Sequence, residues 1–430
     1  MSNNWITINL GELALVQGGF AFKSDAYIEE GIPLLRISNI KAGHINKDDI
    51  VYLPNSFLKQ YFSFSGNDKD ILIAMSGATT GKCARIKSND LPCLINQRVG
   101  RFSVTDIERL NIDYLYHIVT TDEFLNNITI DAIGGAQPNI SSNRIESFFI
   151  TLPVIEKQRK IANILTTVDN LIEKTETLIA KYQSIKQGMM HDLFTRGVDA
   201  NGQLRPPVDE APELYKESEL GWIPRGWEIV SIEDVATQVT DGDHHTPVRS
   251  NSGILLLSAR NILNGKIFLK DVDYIPFSEY QRMIKRCFPQ PGDILISCSG
   301  TIGRICEVPY NLRFGLVRSV ALVKINTNKC LSRYAEWILR SEIIQSQILN
   351  SQLQAAQPNL FQGPIKKLLI PLPKIQEQES VYSKLDSLER CIKTETIKKS
   401  KMFKIKKGLM QDLLTGKVRV NPDKPKDTPS

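Results

Sequence analysis

A chain of 430 residues, 42% hydrophobic and 23% charged, is long enough for several folded cores and has the make-up of a water-facing protein. Its net charge of +6 is modest, and its seven cysteines form no Cys-x-x-Cys pair, which argues against a zinc site or a disulfide framework and for reduced thiols. No apolar run approaches the roughly 18–20 residues of a membrane span, and Trp5–Leu10 is not preceded by the basic segment of a signal peptide, so a cytoplasmic location is expected.

Residues 1–152 read as an α+β globule. β-like runs at Ile71–Met75 and Arg98–Val104 are broken by Gly, Pro and Asn turns, and an amphipathic stretch at Tyr114–Asn127 reads as helix. Gly77-Ala78-Thr79-Thr80-Gly81-Lys82-Cys83 nearly spells a phosphate-binding loop. It has three residues between its glycines where four are needed, and Cys where Ser or Thr should hold Mg²⁺. A tight turn between strands is expected instead, with Thr and Lys facing out towards phosphates or base edges. Near the end of the globule stands Ala136-Gln137-Pro138-Asn139. Gln and Asn can each make bidentate contacts to adenine. They can also cap helices and tie turns, and the structural role is favoured here.

Residues 153–197 change period. Ile161, Leu165, Val168, Ile172, Ile179, Tyr182, Met189 and Leu193 fall mainly three or four apart, with Thr175 and Lys186 on two seam positions. This is the seam of a long helix of coiled-coil type. It begins after a proline and runs about 40 residues, roughly 60 Å at about 1.5 Å per residue. A lone helix would expose that stripe to water, so it needs a partner. Residues 198–226, with Arg205-Pro206-Pro207, Ala211-Pro212 and Ile223-Pro224, read as a linker with turns.

Residues 227–372 repeat the first globule. Ala136-Gln137-Pro138-Asn139 returns as Ala356-Gln357-Pro358-Asn359, 220 positions later, and that offset holds without a gap to Val198 and Val418. Upstream the offset drifts: Asp70–Ile73 matches Asp293–Ile296, and Trp5 matches Trp227. β-like runs recur at Ile294–Cys298 and Val317–Ile325, and a helix-like stretch at Ser332–Leu349. Asp241-Gly242-Asp243-His244-His245-Thr246-Pro247 has no polar counterpart in Gly18–Phe22 of the first copy. Two His and two Asp could ligate a metal or act as acid and base. They could equally form a ligand-reading loop or a structural turn, and a catalytic centre essential to the unit would occur in both copies. Neither an Asn-Pro-Pro-aromatic methyltransferase motif nor a Gly-x-Gly-x-x-Gly occurs.

Residues 373–418 repeat the helix, with Val381, Leu385, Leu388, Ile392, Met402, Leu409 and Leu413 on its seam and Glu395 and Lys399 interrupting it. The two stripes are the obvious partners for each other. Lys393, Lys398, Lys399, Lys401, Lys404, Lys406 and Lys407 crowd this segment, as a solvated face or a contact for phosphates or an acidic partner. Residues 419–430 are expected to be a disordered tail.

In this order, and duplicated, these features resemble the specificity subunits of type I restriction–modification enzymes. The resemblance covers essentially the whole chain. It is carried by Gly221-Trp222-Ile223-Pro224-Arg225-Gly226-Trp227-Glu228 and the two Ala-Gln-Pro-Asn elements. Leu152-Pro153 through Gln158 and Leu372-Pro373 through Gln378 open the helices. Gly188-Met189-Met190 with Asp192-Leu193, and Gly408-Leu409-Met410 with Asp412-Leu413, close them.

The resemblance implies two α+β target recognition domains, each reading half of a bipartite sequence in double-stranded DNA. The two conserved helical regions would pack as an antiparallel coiled coil and give the repeat a pseudo-twofold relation. It further implies two methyltransferase subunits that bind S-adenosylmethionine and methylate adenine, and translocase–nuclease subunits that use ATP and Mg. The chain itself would bind no cofactor or metal and carry no catalysis. The copies differ more in the globules than in the helices, so an asymmetric target is expected.

Turn residues between strands are the candidate DNA contacts: Lys23, Arg36, Ser38, Asn39, Thr79, Lys82 and Arg98 in the first globule, and His244, His245, Arg260, Asn261, Thr301, Arg304 and Arg318 in the second. Arg and Lys would divide between phosphates and guanine, and Asn would read adenine. Two rival readings remain: a nuclease using Asp241–His245, and a coiled-coil scaffold that ignores DNA.

Overall fold

The computed structural model describes residues 5–132, 138–353 and 359–421. The chain divides into two compact units, Met1–Glu176 with Ile397–Ser430, and Thr177–Thr396. Each unit therefore holds one globule, part of the helix that follows it, and part of the other long helix.

In the first unit, Ala14–Gly18, Val99–Val104, Ile71–Ala74 and Cys83–Arg85 form a four-stranded antiparallel sheet in that spatial order. The run Ile71–Ala74 is buried throughout because the strand is covered on both faces. Ile71 and Ile73 face a core built with Tyr114, Leu115 and Ile128, while Leu72 and Ala74 face a second core with Leu35, Ile40 and Ile95. A three-stranded sheet adds Val51–Leu53, Ile32–Leu35 and Leu94–Ile95, and Ile6–Asn9 pairs with Phe149–Leu152.

The second unit repeats this plan. Ala236–Asp241, Val320–Ile325, Ile294–Ser297 and Ile305–Glu307 form its four-stranded sheet. Asp273–Ile275, Ile254–Leu257 and Phe314–Leu316 form the three-stranded one, and Glu228–Ser231 pairs with Leu369–Leu372. The single helix expected from the amphipathic stretch is two helices in each copy, Ile112–Val119 then Asp122–Ala132, and Ser332–Leu339 then Glu342–Leu353. The break falls at Thr120-Thr121 and at Arg340-Ser341. Thr121 and Ser341 turn their hydroxyls back on the Ile118 and Ile338 carbonyls (2.7 and 2.6 Å), a local competition that ends a helix.

The long helices are Ile155–Thr195 and Ile375–Leu414. Among the described residues no helix is long and apolar enough to cross a membrane. In the first unit Ile161, Ala162 and Leu165 share a core with Leu409, Met410, Leu413 and Leu414. In the second, Met189, Met190, Leu193 and Phe194 share one with Val381 and Leu385. Cross-helix ion pairs show one antiparallel register in both: Asp169–Lys406 (2.6 Å) and Glu176–Lys399 (3.5 Å) in the first unit, Lys186–Glu389 (2.9 Å) in the second. The residue numbers of each pair add to 575. Asp169 and Glu389 are repeat equivalents, as are Lys186 and Lys406, so the chain carries the same ion pair twice.

Residues 198–226 include a hairpin, Tyr215–Ser218 with Gly221–Pro224. Arg205 clamps Glu377 through both carboxylate oxygens (2.5 and 3.1 Å), and Val198 N–H donates to the same group (2.9 Å). The segment is thereby tied to the start of the second long helix.

Candidate nucleic-acid interface

Four turns meet at one edge of each globule. In the first unit Gly19 N–H donates to Val99 O (3.1 Å), Gln97 N–H to Phe20 O (2.9 Å), Asn96 N–H to Leu35 O (3.0 Å) and Met75 N–H to Arg98 O (2.9 Å). These bonds join the loop after Gly18, the Ile37–Asn39 turn, the loop before Val99 and the turn at Gly77–Thr79. The second unit joins the equivalent turns through Asp243 N–H to Leu316 O (2.7 Å), Arg318 N–H to Asp243 O (2.9 Å), Val317 N–H to Leu257 O (3.1 Å) and Cys298 N–H to Ser319 O (2.8 Å). Gly19 and Gly242 stand where a Cβ would lie 2.1 and 2.3 Å from the carbonyl oxygens of Ile95 and Leu316, so only glycine permits this crossing.

The sequence candidates separate into two groups on this edge. Lys23, Ser38, Arg98, His244, His245, Arg260, Thr301 and Arg318 are exposed, and Arg36, Lys82 and Arg304 are half-buried. Arg98 and Arg318 lie one register position apart in equivalent turns, Arg98 matching Ser319 and Gln97 matching Arg318 by their backbone bonds, and neither has a side-chain partner among the described residues. Arg260 is held by Asp273 (3.1 Å) and Asp271 (3.6 Å), and Arg36 donates to Asp49 O (2.7 Å).

Asn39 and Asn261 correct the expectation that they read adenine: they are 1% and 0% exposed. Asn39 accepts from Arg36 N–H (2.9 Å) and donates to Asn46 O (3.0 Å). Asn261 accepts from Ser258 N–H (2.9 Å) and donates to Phe268 O (3.0 Å) and Asp271 O (2.7 Å). Their amides are spent on the turn itself. Thr79 is also buried, its hydroxyl donating to Ile37 O (2.8 Å), so it ties two turns rather than facing out.

The Asp241–Thr246 loop differs from the rest of the edge in being held by charge. Asp241 accepts from His244 Nε2 (2.6 Å), Arg286 (2.7 Å) and Gln362 (2.5 Å). Asp243 accepts from Arg282 and from His245 N–H (3.2 Å), and Glu279 takes the same guanidinium at 2.7 Å. Burial by itself would raise both aspartates. Hydrogen bonds from His244 and Gln362 to Asp241, and from Arg282 to Asp243, outweigh it and hold both carboxyls below their ordinary range. The carboxylates are thus saturated by guanidinium and imidazole donors, and the described residues contain no group of three or more His, Cys, Asp or Glu placed to hold a metal ion. Arg282, Arg286 and Gln362 went unseen in the sequence because they lie 39 to 121 positions from their acids.

Ala136, Gln137, Ala356, Gln357 and Pro358 lie outside the described residues. The described ends of these elements are structural ties: Gly77 N–H donates to Pro138 O (3.0 Å), Ile140 N–H to Met75 O (2.9 Å) and Leu360 N–H to Cys298 O (2.9 Å).

The comparisons agree with this duplicated plan. The family model described as "Type I restriction modification DNA specificity domain" matches residues 2–183 and 224–402. The type I restriction enzyme MjaVIII specificity subunit of Methanocaldococcus jannaschii is 24% identical over 409 residues, covering 92% of this chain and 91% of its own. The EcoBI specificity subunit of Escherichia coli is 24% identical over 400 residues, covering 90% and 79%. The crystal structure of a type I restriction–modification S subunit from M. genitalium shares the fold, with a TM-score of 0.62 at 15% identity and 96% of both chains covered. Two matched domains, one covering each globule, identify the chain as a member of the family of type I restriction–modification specificity subunits.

Proposed function

We propose that each unit reads one half of an asymmetric bipartite DNA target through this edge, and that the chain does no chemistry itself. The carrying observation is one exposed, unpartnered arginine in the equivalent turn of each unit, Arg98 in the first and Arg318, one register position away, in the second, amid turns whose side chains differ between the copies. Exposed arginines at such a position suit guanine or phosphate, and divergent neighbours suit two different half-sites. Lys23, Ser38 and Lys82 would join Arg98, and His244, His245, Thr301 and Arg304 would join Arg318.

In the cytoplasm the repeated helices would dock two methyltransferase subunits, which supply S-adenosylmethionine and methylate adenine. Translocase–nuclease subunits, with ATP and Mg, would join for restriction.

Methylome sequencing of the host with and without this gene tests the reading. A bipartite adenine motif is expected to disappear on deletion. Arg98→Ala and Arg318→Ala are each expected to relax one position in different half-sites, at about 1–3 kcal/mol, if they contact bases. If they contact phosphates, binding to all sequences falls alike and the salt dependence becomes shallower. An unchanged methylome in all three strains would refute the proposal.

A further inference from the structure

The two units hold equivalent loops by opposite physics. In the first, the loop after Gly18 packs by aromatic contact. Phe20 lies 5.0 Å from Phe22, 4.6 Å from Tyr61 and 5.4 Å from Phe64, centroid to centroid. In the second, the place of Phe20 in the crossing is taken by Asp243, whose backbone makes the equivalent bridge to Val317. Asp243 is only 9% exposed. A buried carboxylate needs a cationic partner, and Arg282 supplies it from the helix Phe277–Met283. Just beyond that helix, Arg286 meets Asp241 and lies 3.1 Å from His244 Nε2.

These contacts hold the exposed stretch at His244 and His245. Asp241 grips the ring of His244, and Asp243 grips the backbone N–H of His245 while its own carbonyl accepts from Arg318 N–H. A shift at Asp243 would therefore move His244, His245 and Arg318 together. The side chains of Arg282 and Arg286 are committed to carboxylates, which suits a role in support better than one in direct DNA contact.

We propose that Arg282 and Arg286 are positioning residues that set the base preference of the second unit by fixing the His244–Thr246 loop and Arg318. The inference rests on the reading of this edge as a DNA interface. It extends that reading to two residues that touch no base.

The test replaces the chromosomal gene with R282M/R286M and with the charge-conserving R282K/R286K, and sequences the methylome of each strain. Thermal unfolding of the purified full chains serves as the folding control. Both variants are expected to lose about tenfold discrimination at one or more positions of one half-site, with the other half-site unchanged. Lys keeps the charge but not the forked geometry, so the lysine variant loses selectivity if the arginines position the loop. If they hold phosphates, the lysine variant keeps the wild-type motif, and that result overturns the proposal. An unaltered motif in both variants overturns it as well. Should R282M/R286M fail to fold, the lysine variant alone decides by the same criterion. A wild-type strain with no bipartite motif would overturn the underlying reading of the edge, and this inference with it.

Discussion

The hydroxyl of Tyr334 donates to Pro371 O at 2.7 Å, while its repeat equivalent Tyr114, also fully buried, has no hydrogen-bond partner among the described residues. The same residue type therefore contributes differently in the two cores. Tyr114→Phe is expected to be neutral or stabilising, because it removes a desolvated hydroxyl that gains nothing in return. Tyr334→Phe is expected to cost about 1–2 kcal/mol. Urea unfolding of both variants measures the contrast, and equal losses would contradict it.

His117 carries a second asymmetry, standing where the second copy has Trp337. It is fully buried, with Nε2 3.2 Å from the Thr166 hydroxyl. Burial, then the charges of Lys406 and Arg85, push its pKa down to about 3. The folded imidazole stays neutral while the unfolded one takes up a proton below about pH 6.5, so the unfolded state binds more protons and stability falls as pH drops. At pH 5 the loss amounts to about 2 kcal/mol. His117→Phe should flatten the stability profile between pH 7 and 4, whatever it does to absolute stability. An unchanged slope would exclude this origin.

At the scale of elements, the strictest part of the repeat has a mechanical cause. Gln158, at the start of the first long helix, accepts from Asn111 N–H (3.0 Å) and donates to Arg109 O and Pro153 O (both 2.8 Å). Gln378 repeats the pattern with Leu331 N–H (2.8 Å), Lys329 O (3.1 Å) and Pro373 O (2.9 Å). One buried side chain thus locks the helix start to the loop that launches the globule's own helix pair. Gln158→Leu or Gln378→Leu would strand an amide and weaken two carbonyls, at about 2–5 kcal/mol. Denaturant unfolding of each variant would detect the loss, and a cost below about 1 kcal/mol would argue against the tie. Sequence alone marked both glutamines as repeated. It could not supply the reason, because their partners lie up to 49 positions away.

For the whole molecule, the α+β class, the duplication and the paired helices were legible in the residues. Period and repeat are local properties: an apolar residue every three or four positions demands a partner stripe, and a matched stretch must fold alike. The central strands Ile71–Ala74 and Ile294–Ser297 were legible for the same reason, since short runs that are wholly apolar, or apolar but for Ser297, have little to face water with. The division of function between two half-sites, argued above from Arg98 and Arg318, belongs to this scale. It depends on the divergence between the two globules, which is greater than that between the two helices.

What the sequence determined by itself was periodicity, repetition and the missing active-site motifs. The tertiary structure alone decided which polar residues face out. Asn39 and Asn261 look like readers in sequence, but the turn each one braces consumes its amide. Asp241 and Asp243 look like catalytic acids, but Arg282 on a distant helix and Arg286 just beyond it arrive to neutralise them. It also decided that each long helix serves two units, Glu176 closing one share and Thr177 opening the next. The physical reason is common to all three. A side chain's role depends on what satisfies its hydrogen bonds and charge, and those partners are brought together by the fold rather than by adjacency in the chain.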